Sequence, residues 1–220
     1  GIYSDTGSGS SFTFTNLEPN TTYYFYINKS CNGIGESSTL GPYTFTTTCE
    51  AVTAFSESFE GTDNNLPDCF SFFASDVNNI SLSFSTTASN ISSGARSLSA
   101  LSYLNGNALY IVSPLLPNIG ANSHRLVFYA KGTTATKLDV GVSATNANTT
   151  NVNYIYSTEA ANGLTSNMKK YVVNFDQSYS GSFIVIRITY NSTFISSYID
   201  DIVWEAIPLC ADVTSVQTTG

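Results

Sequence analysis

Charge is what this sequence has least of. Charged residues make up 11% of its 220 positions, against roughly 25% in an average soluble domain, and serine, threonine, asparagine and glycine fill the polar positions instead. Basic residues are scarcer still, 8 against 16 acids for a net charge of −8. That balance argues against nucleic acid or an anionic membrane as partner and suits divalent cations. With one histidine a histidine-rich zinc site is excluded, and a Ser-His-Asp site would have to run through His124. That residue precedes a strand in N-S-H-R-L, has no motif around it and reads as a surface loop residue. Two carboxylates at glycosidase separation stay open. No apolar run approaches the roughly 18 residues of a membrane span, so no membrane insertion by this segment is expected. The N-terminus lacks the charged start and apolar centre of a signal peptide.

What the sequence does have is β-branched and aromatic residues with little helix signal, and four cysteines. Together they point to an all-β protein of an oxidising compartment. The length allows one large domain plus a fragment, or two small domains. N-x-[ST] sequons occur at Asn20, Asn28, Asn79, Asn90, Asn148 and Asn191. In a chain this rich in Asn, Ser and Thr they arise by chance and carry little weight.

Tyr198 to Ile207, YIDDIVWEAI, sets two adjacent carboxylates inside an apolar strand. Strict alternation puts Tyr198, Asp200, Ile202 and Trp204 on one face and Ile199, Asp201 and Val203 on the other, with Trp204 in the core. Both faces read as buried. A carboxylate there needs a cation or several donors, or it takes up a proton. Calcium, a hard oxygen-seeking cation, meets that need. Alternatively, one Asp accepts backbone hydrogen bonds from a neighbouring loop and the other reaches solvent at a sheet edge.

Along the chain, Ser11 to Thr15 alternates as a strand, Leu17-Glu18-Pro19-Asn20-Thr21 turns, Thr21, Tyr23, Phe25 and Ile27 alternate, and Tyr43 to Thr47 forms a further strand after a 33–41 loop. The L-x-P-x-T-x-Y-x-F-x-I spacing resembles the second half of a fibronectin type III domain, with Tyr23 as its corner tyrosine. Residues 1–48 therefore read as a partial immunoglobulin-like sandwich. From 49 to 208 the chain offers about ten strands, most simply a two-sheet jelly roll. The segments SESFEG at 56–61, LPDCF at 66–70, VSPLL at 112–116, RLVFYA at 125–130, LDVGVS at 138–143 and YIDDIVW at 198–204 keep the order of MAM-like and cleaved-adhesin jelly rolls, which this region resembles. Phe70 stands where that family usually has Trp. Residues 209–220 read like the opening of another fibronectin-type repeat, so neighbouring β-sandwich repeats are expected as partners.

If residues 1–48 have fibronectin-type strand order, Cys31 and Cys49 lie near opposite poles, too far apart to bridge. Cys49 is then expected to pair with Cys69, while Cys31 and Cys210 each pair within their own repeat or stay as free buried thiols. The jelly-roll resemblance implies a structural calcium where the first strand meets the last, with Glu57, Glu60, Asp200 and Asp201 as candidate ligands, Glu60 and Asp201 foremost, completed by backbone carbonyls near Ser93 to Ser97. Glu57 is alternatively an outward-facing residue. Tyr103, Tyr110, Tyr154, Tyr156 and Phe194 are the aromatics in or near loops or on alternating strands on which a sugar could stack, although such residues more often serve packing. The resemblance implies a non-catalytic segment of a large secreted or cell-surface adhesin, closest to surface proteins of gliding and adherent bacteria that use the type IX secretion route. An accessory carbohydrate-binding module of a secreted hydrolase is the alternative, and a eukaryotic adhesion receptor a third.

Overall fold

The computed structural model describes residues 11, 13–31, 35–61, 64–146, 151–159 and 162–209, without the side chains of 30 and 31. The chain divides into two compact units, Gly1–Glu50 and Ala51–Gly220. The expectations for Cys31 and Cys210, and for 209–220 as a further repeat, lie outside the described residues apart from position 209 and the Cys31 backbone.

In the first unit β1 (Thr22–Ile27) pairs antiparallel with β4 (Leu40–Thr46), and the short β2 (Ser30–Cys31) with β3 (Gly35–Glu36). Tyr23 lies opposite Phe45 and Phe25 opposite Tyr43. The rings of Phe14, Tyr23, Phe25, Tyr43 and Phe45 gather on that face. The Tyr23 hydroxyl accepts the Glu18 N–H at 2.8 Å. No described residue of this unit is fully buried. Residues 11 and 13–15 lie outside any strand, in contrast to the alternation read there.

The second unit is all-β. Its strands are β5 (Phe55–Glu57), β6 (Ser71–Ala74), β7 (Ile80–Ser85), β8 (Ser97–Ser102), β9 (Ala108–Val112), β10 (His124–Lys131), β11 (Thr136–Ser143), β12 (Asn153–Ser157), β13 (Lys169–Phe175), β14 (Phe183–Tyr190) and β15 (Ile195–Ala206). One sheet runs β13-β10-β15-β8-β7 with β5 also on β15; the other runs β12-β11-β14-β9-β6. Only two short 3-10 turns, Ala88–Asn90 and Ile119–Ala121, interrupt the strands among the described residues. The sheets close on one core, with Leu98, Phe128, Ile199 and Trp204 from the first meeting Leu109, Ile111, Leu138 and Ile186 from the second. β-branched side chains fit such a pleated, packed surface. β6 went unread in the sequence because SFFA is too short to alternate visibly.

β15 is the central strand. Its first half pairs with β8, from Ile195–Ser102 to Ile199–Leu98, and its second half with β5, from Ile202–Glu57 to Trp204–Phe55, while β10 runs along the other side. The neighbour changes at Asp200 and Asp201. There the register with β10 also slips, from Val127–Val203 to Tyr129–Asp200, and Asp201 takes a left-handed φ of 48°. This β-bulge inserts one residue and flips the parity. Ile199, Ile202 and Trp204 therefore share the core, and Asp200 falls on the other face with Tyr198. Strict alternation had placed Asp200 with Ile202 and Trp204; the bulge corrects it.

Candidate functional site

Where β15 changes partner, the 92–96 loop entering β8 meets carboxylates from both terminal strands. Asp200 is fully buried. Its Oδ2 accepts the Ser92 N–H at 2.8 Å and the Ser93 N–H at 3.4 Å, and its Oδ1 the Asp201 N–H at 2.9 Å. The Ser93 hydroxyl donates to Asp201 Oδ1 at 2.9 Å. Glu60, three residues beyond β5, accepts the Ala95 N–H at 3.0 Å and the Arg96 N–H at 2.9 Å. Gly94 turns the loop at a φ of 68°, and a Cβ there would collide with the Glu60 carboxylate. Burial pushes the Asp200 carboxyl up to about 6, with the nearby Asp201 charge adding to it, against the amide donors that hold it down.

Glu60, Asp200 and Asp201 thus converge on one five-residue loop, and none of the three has an ion-pair partner among the described residues. Two physical facts bear on a cation. Three carboxylates without a basic partner lack a counter-charge. Among the described residues, however, N–H and hydroxyl donors already take up part of the carboxylate lone pairs that a calcium ion would use as ligands. No cluster of three or more His, Cys, Asp or Glu side chains spaced for a metal occurs among the described residues.

Glu57 makes no hydrogen bond to that loop among the described residues. It pairs with Ile202, two residues from the core pair Phe55–Trp204, so it points to the inner side of the sheet. That corrects the outward-facing alternative. It accepts the Phe59 N–H, and burial raises its carboxyl above the ordinary range. Cys49 and Cys69 are joined in a disulfide, as expected.

His124 opens β10 and is partly buried, its ring stacked on Trp204 with centroids 5.1 Å apart. The surface-loop reading is thereby corrected: N-S-H-R-L hides the fact that the strand begins at the histidine. Sequence reasoning also missed Asn118, which accepts the Trp204 indole N–H and donates to Thr53 and His124. No periodicity marks a loop asparagine.

Of the aromatics proposed for stacking, Tyr156 packs against the core. Tyr154 lies over the Arg187 guanidinium at 4.0 Å, and Tyr110 pairs with Arg187 across the sheet. Arg187 donates to the buried Asp139 at 2.7 and 3.0 Å. Tyr103 meets Phe194 edge to face at 5.9 Å, and Phe194 is 73% exposed.

No protein-family model matches the chain, and no curated protein matches it. Solved structures do. The K1 cleaved adhesin domain of Lys-gingipain from Porphyromonas gingivalis W83 is 16% identical at a TM-score of 0.54, the match covering 71% of this chain and 100% of that one. The K2 cleaved adhesin domain of Lys-gingipain is 15% identical at 0.53, over 69% of this chain and 99% of that one. The K3 domain, also from Porphyromonas gingivalis, is 19% identical at 0.50, over 69% and 97%. The likeness is one of fold: this chain contains an adhesin-like jelly-roll sandwich.

Proposed function

We propose that the chain is a non-catalytic, adhesive segment of a larger secreted or cell-surface protein, with its jelly roll as the adhesive unit. The observation that carries this reading is the fold match over the full length of a cleaved adhesin domain. The Cys49–Cys69 disulfide supports an extracellular setting. The chain's one histidine is committed to Trp204, Asn118 and Ser123, which supports a structural rather than a hydrolytic role. Within this reading, fibronectin-type repeats flank the jelly roll, and the Tyr23–Glu18 bond is what a corner tyrosine of such a repeat makes. The outer-membrane surface, reached by the type IX route, is the proposed location, in gliding or surface attachment, and a surface polysaccharide or glycan is the proposed ligand. Calcium is the proposed occupant at Glu60, Asp200 and Asp201, supported by the missing counter-charge there.

Adhesion is tested with beads coated in the folded chain, flowed over immobilised polysaccharides and extracellular-matrix proteins. Retention above that of beads coated with the heat-denatured chain is expected, with no release of sugar or peptide products. Equal retention of both bead types on every surface, or product release, overturns the reading.

A further inference from the structure

A cavity of about 290 Å³ opens beside β5, lined among the described residues by Glu57, Phe59, Leu66, Pro67, Asp68 and Phe84, with the Arg96 side chain along one wall. Its apolar part comes from two phenylalanines, a leucine and a proline, and its polar part is anionic. Glu57 commits one oxygen to the Phe59 N–H. Its other oxygen has no partner among the described residues. Asp68, exposed at the rim, has no ion-pair partner there either. Arg96 donates its Nε to the Phe59 carbonyl at 3.0 Å and lays its guanidinium on the Phe84 ring at 4.2 Å. That cation is spent on the wall, and no salt bridge links it to Glu57 or Asp68.

We propose that this cavity binds a lysine side chain of a protein or peptide partner. Charge decides the sign of the ligand: two carboxylates against one guanidinium leave the described lining net negative, in a chain of net charge −8. A cation that enters also relieves the cost of holding Glu57 half-buried and ionised. Geometry decides the kind of cation. A guanidinium is recognised best by a carboxylate offering both oxygens freely as a fork, and the Phe59 N–H already draws on one of the two Glu57 oxygens, which disfavours that fork. An ammonium is a compact point charge that needs one strong acceptor, and the aliphatic lysine stem covers the apolar wall of Leu66, Pro67 and Phe59. The cavity adjoins the 92–96 loop through Arg96, whose N–H is held by Glu60, but its lining carboxylates are Glu57 and Asp68, and the inference does not depend on the adhesive reading.

The test is an NMR titration of the folded chain with Nα-acetyl-lysine methylamide, read at the backbone amides of Glu57, Phe59 and Gly61, the last also part of the cavity lining. Saturable shifts confined to these residues and their cavity neighbours are expected, absent with the Nε-acetylated probe and smaller with the arginine analogue. Glu57→Gln keeps the acceptor for the Phe59 N–H but removes the charge, and should weaken binding about tenfold. Asp68→Asn, on the exposed rim, should weaken it about twofold by loss of screened attraction. Should Glu57→Gln misfold, Asp68→Asn and the acetylated probe decide. Shifts of equal size with the acetylated probe, or affinities unchanged in the folded variants, overturn the proposal.

Discussion

Trp204 donates its indole N–H to Asn118 Oδ1 at 3.1 Å while lying flat against His124. An indole nitrogen can only donate, so the Asn118 amide cannot flip. Its Nδ2 must face outward, toward the Thr53 carbonyl at 2.7 Å and His124 Nε2 at 3.0 Å. The neutral imidazole therefore accepts at Nε2 and carries its proton on Nδ1, where it donates to the Ser123 hydroxyl at 3.0 Å. Nitrogen-15 NMR of the ring should show the Nδ1–H tautomer. Asn118→Leu should cost about 1–3 kcal/mol by stranding the buried indole N–H, and should release the tautomer preference. An Nε2–H ring in the native chain would contradict the arrangement.

The Asp139–Arg187 pair makes a second prediction. Asp139 is 2% exposed and accepts both bonds on Oδ2, while Lys137 stays 3.9 Å from Oδ1. Arg187→Met leaves a buried carboxylate with only that distant lysine. The expected loss is about 3 kcal/mol in denaturant unfolding, less than for a fully dry pair because the guanidinium is partly solvated. Asp139→Leu added to Arg187→Met should recover most of it, since an apolar pair of similar volume removes the unpaired charge. A double variant no more stable than the single one would show that packing, not charge, holds these strands.

How much of this was legible in the sequence follows from where each signal resides. Alternation such as Lys169 to Phe175 declares its own strand, and Trp204 in an apolar run declares the core. The Cys49–Cys69 bond was expected from a fibronectin-type strand order read for residues 1–48, an order that itself remains a proposal. The bulge at Asp201 left no mark, since one inserted residue changes parity without changing composition. That one of the paired Asp residues accepts backbone hydrogen bonds from a neighbouring loop was legible as an alternative and holds for Asp200, but the clamp on Glu60 is made by backbone amides that every sequence possesses, with only Gly94 to hint at it. Asp139 and Arg187 sit 48 positions apart and meet through a β11–β14 register that no local pattern specifies. The first unit shows the converse case: its aromatic alternation was plain, yet none of its described residues is fully buried.

Asp200 separates the two accounts of the central strand. Its carboxyl titrates at about 6 in the fold, raised first by burial, against about 3.9 in an unfolded chain. A folded-state value above the unfolded one means that folding takes up a proton. In chelator, the stabilisation from this group is therefore complete below about pH 4 and lost as pH rises through about 6, a decline of at most about 3 kcal/mol. Calcium opposes that decline and nearly cancels it, because the ion binds the carboxylates only when they are ionised. At a hundredfold excess over its dissociation constant it should add about 2.7 kcal/mol near neutrality and lose that increment on acidification. Thermal melts of the whole chain from about pH 4 to 7, with calcium or with EGTA, read both slopes. Asp201→Asn keeps the shape and the acceptor for the Ser93 hydroxyl, so it should weaken the calcium increment more than it disturbs the fold in EGTA. The amide clamp alone predicts the same loss in both media. Melting temperatures indifferent to calcium at every pH would remove the metal and leave Asp200 as a buried acid held by three backbone amides.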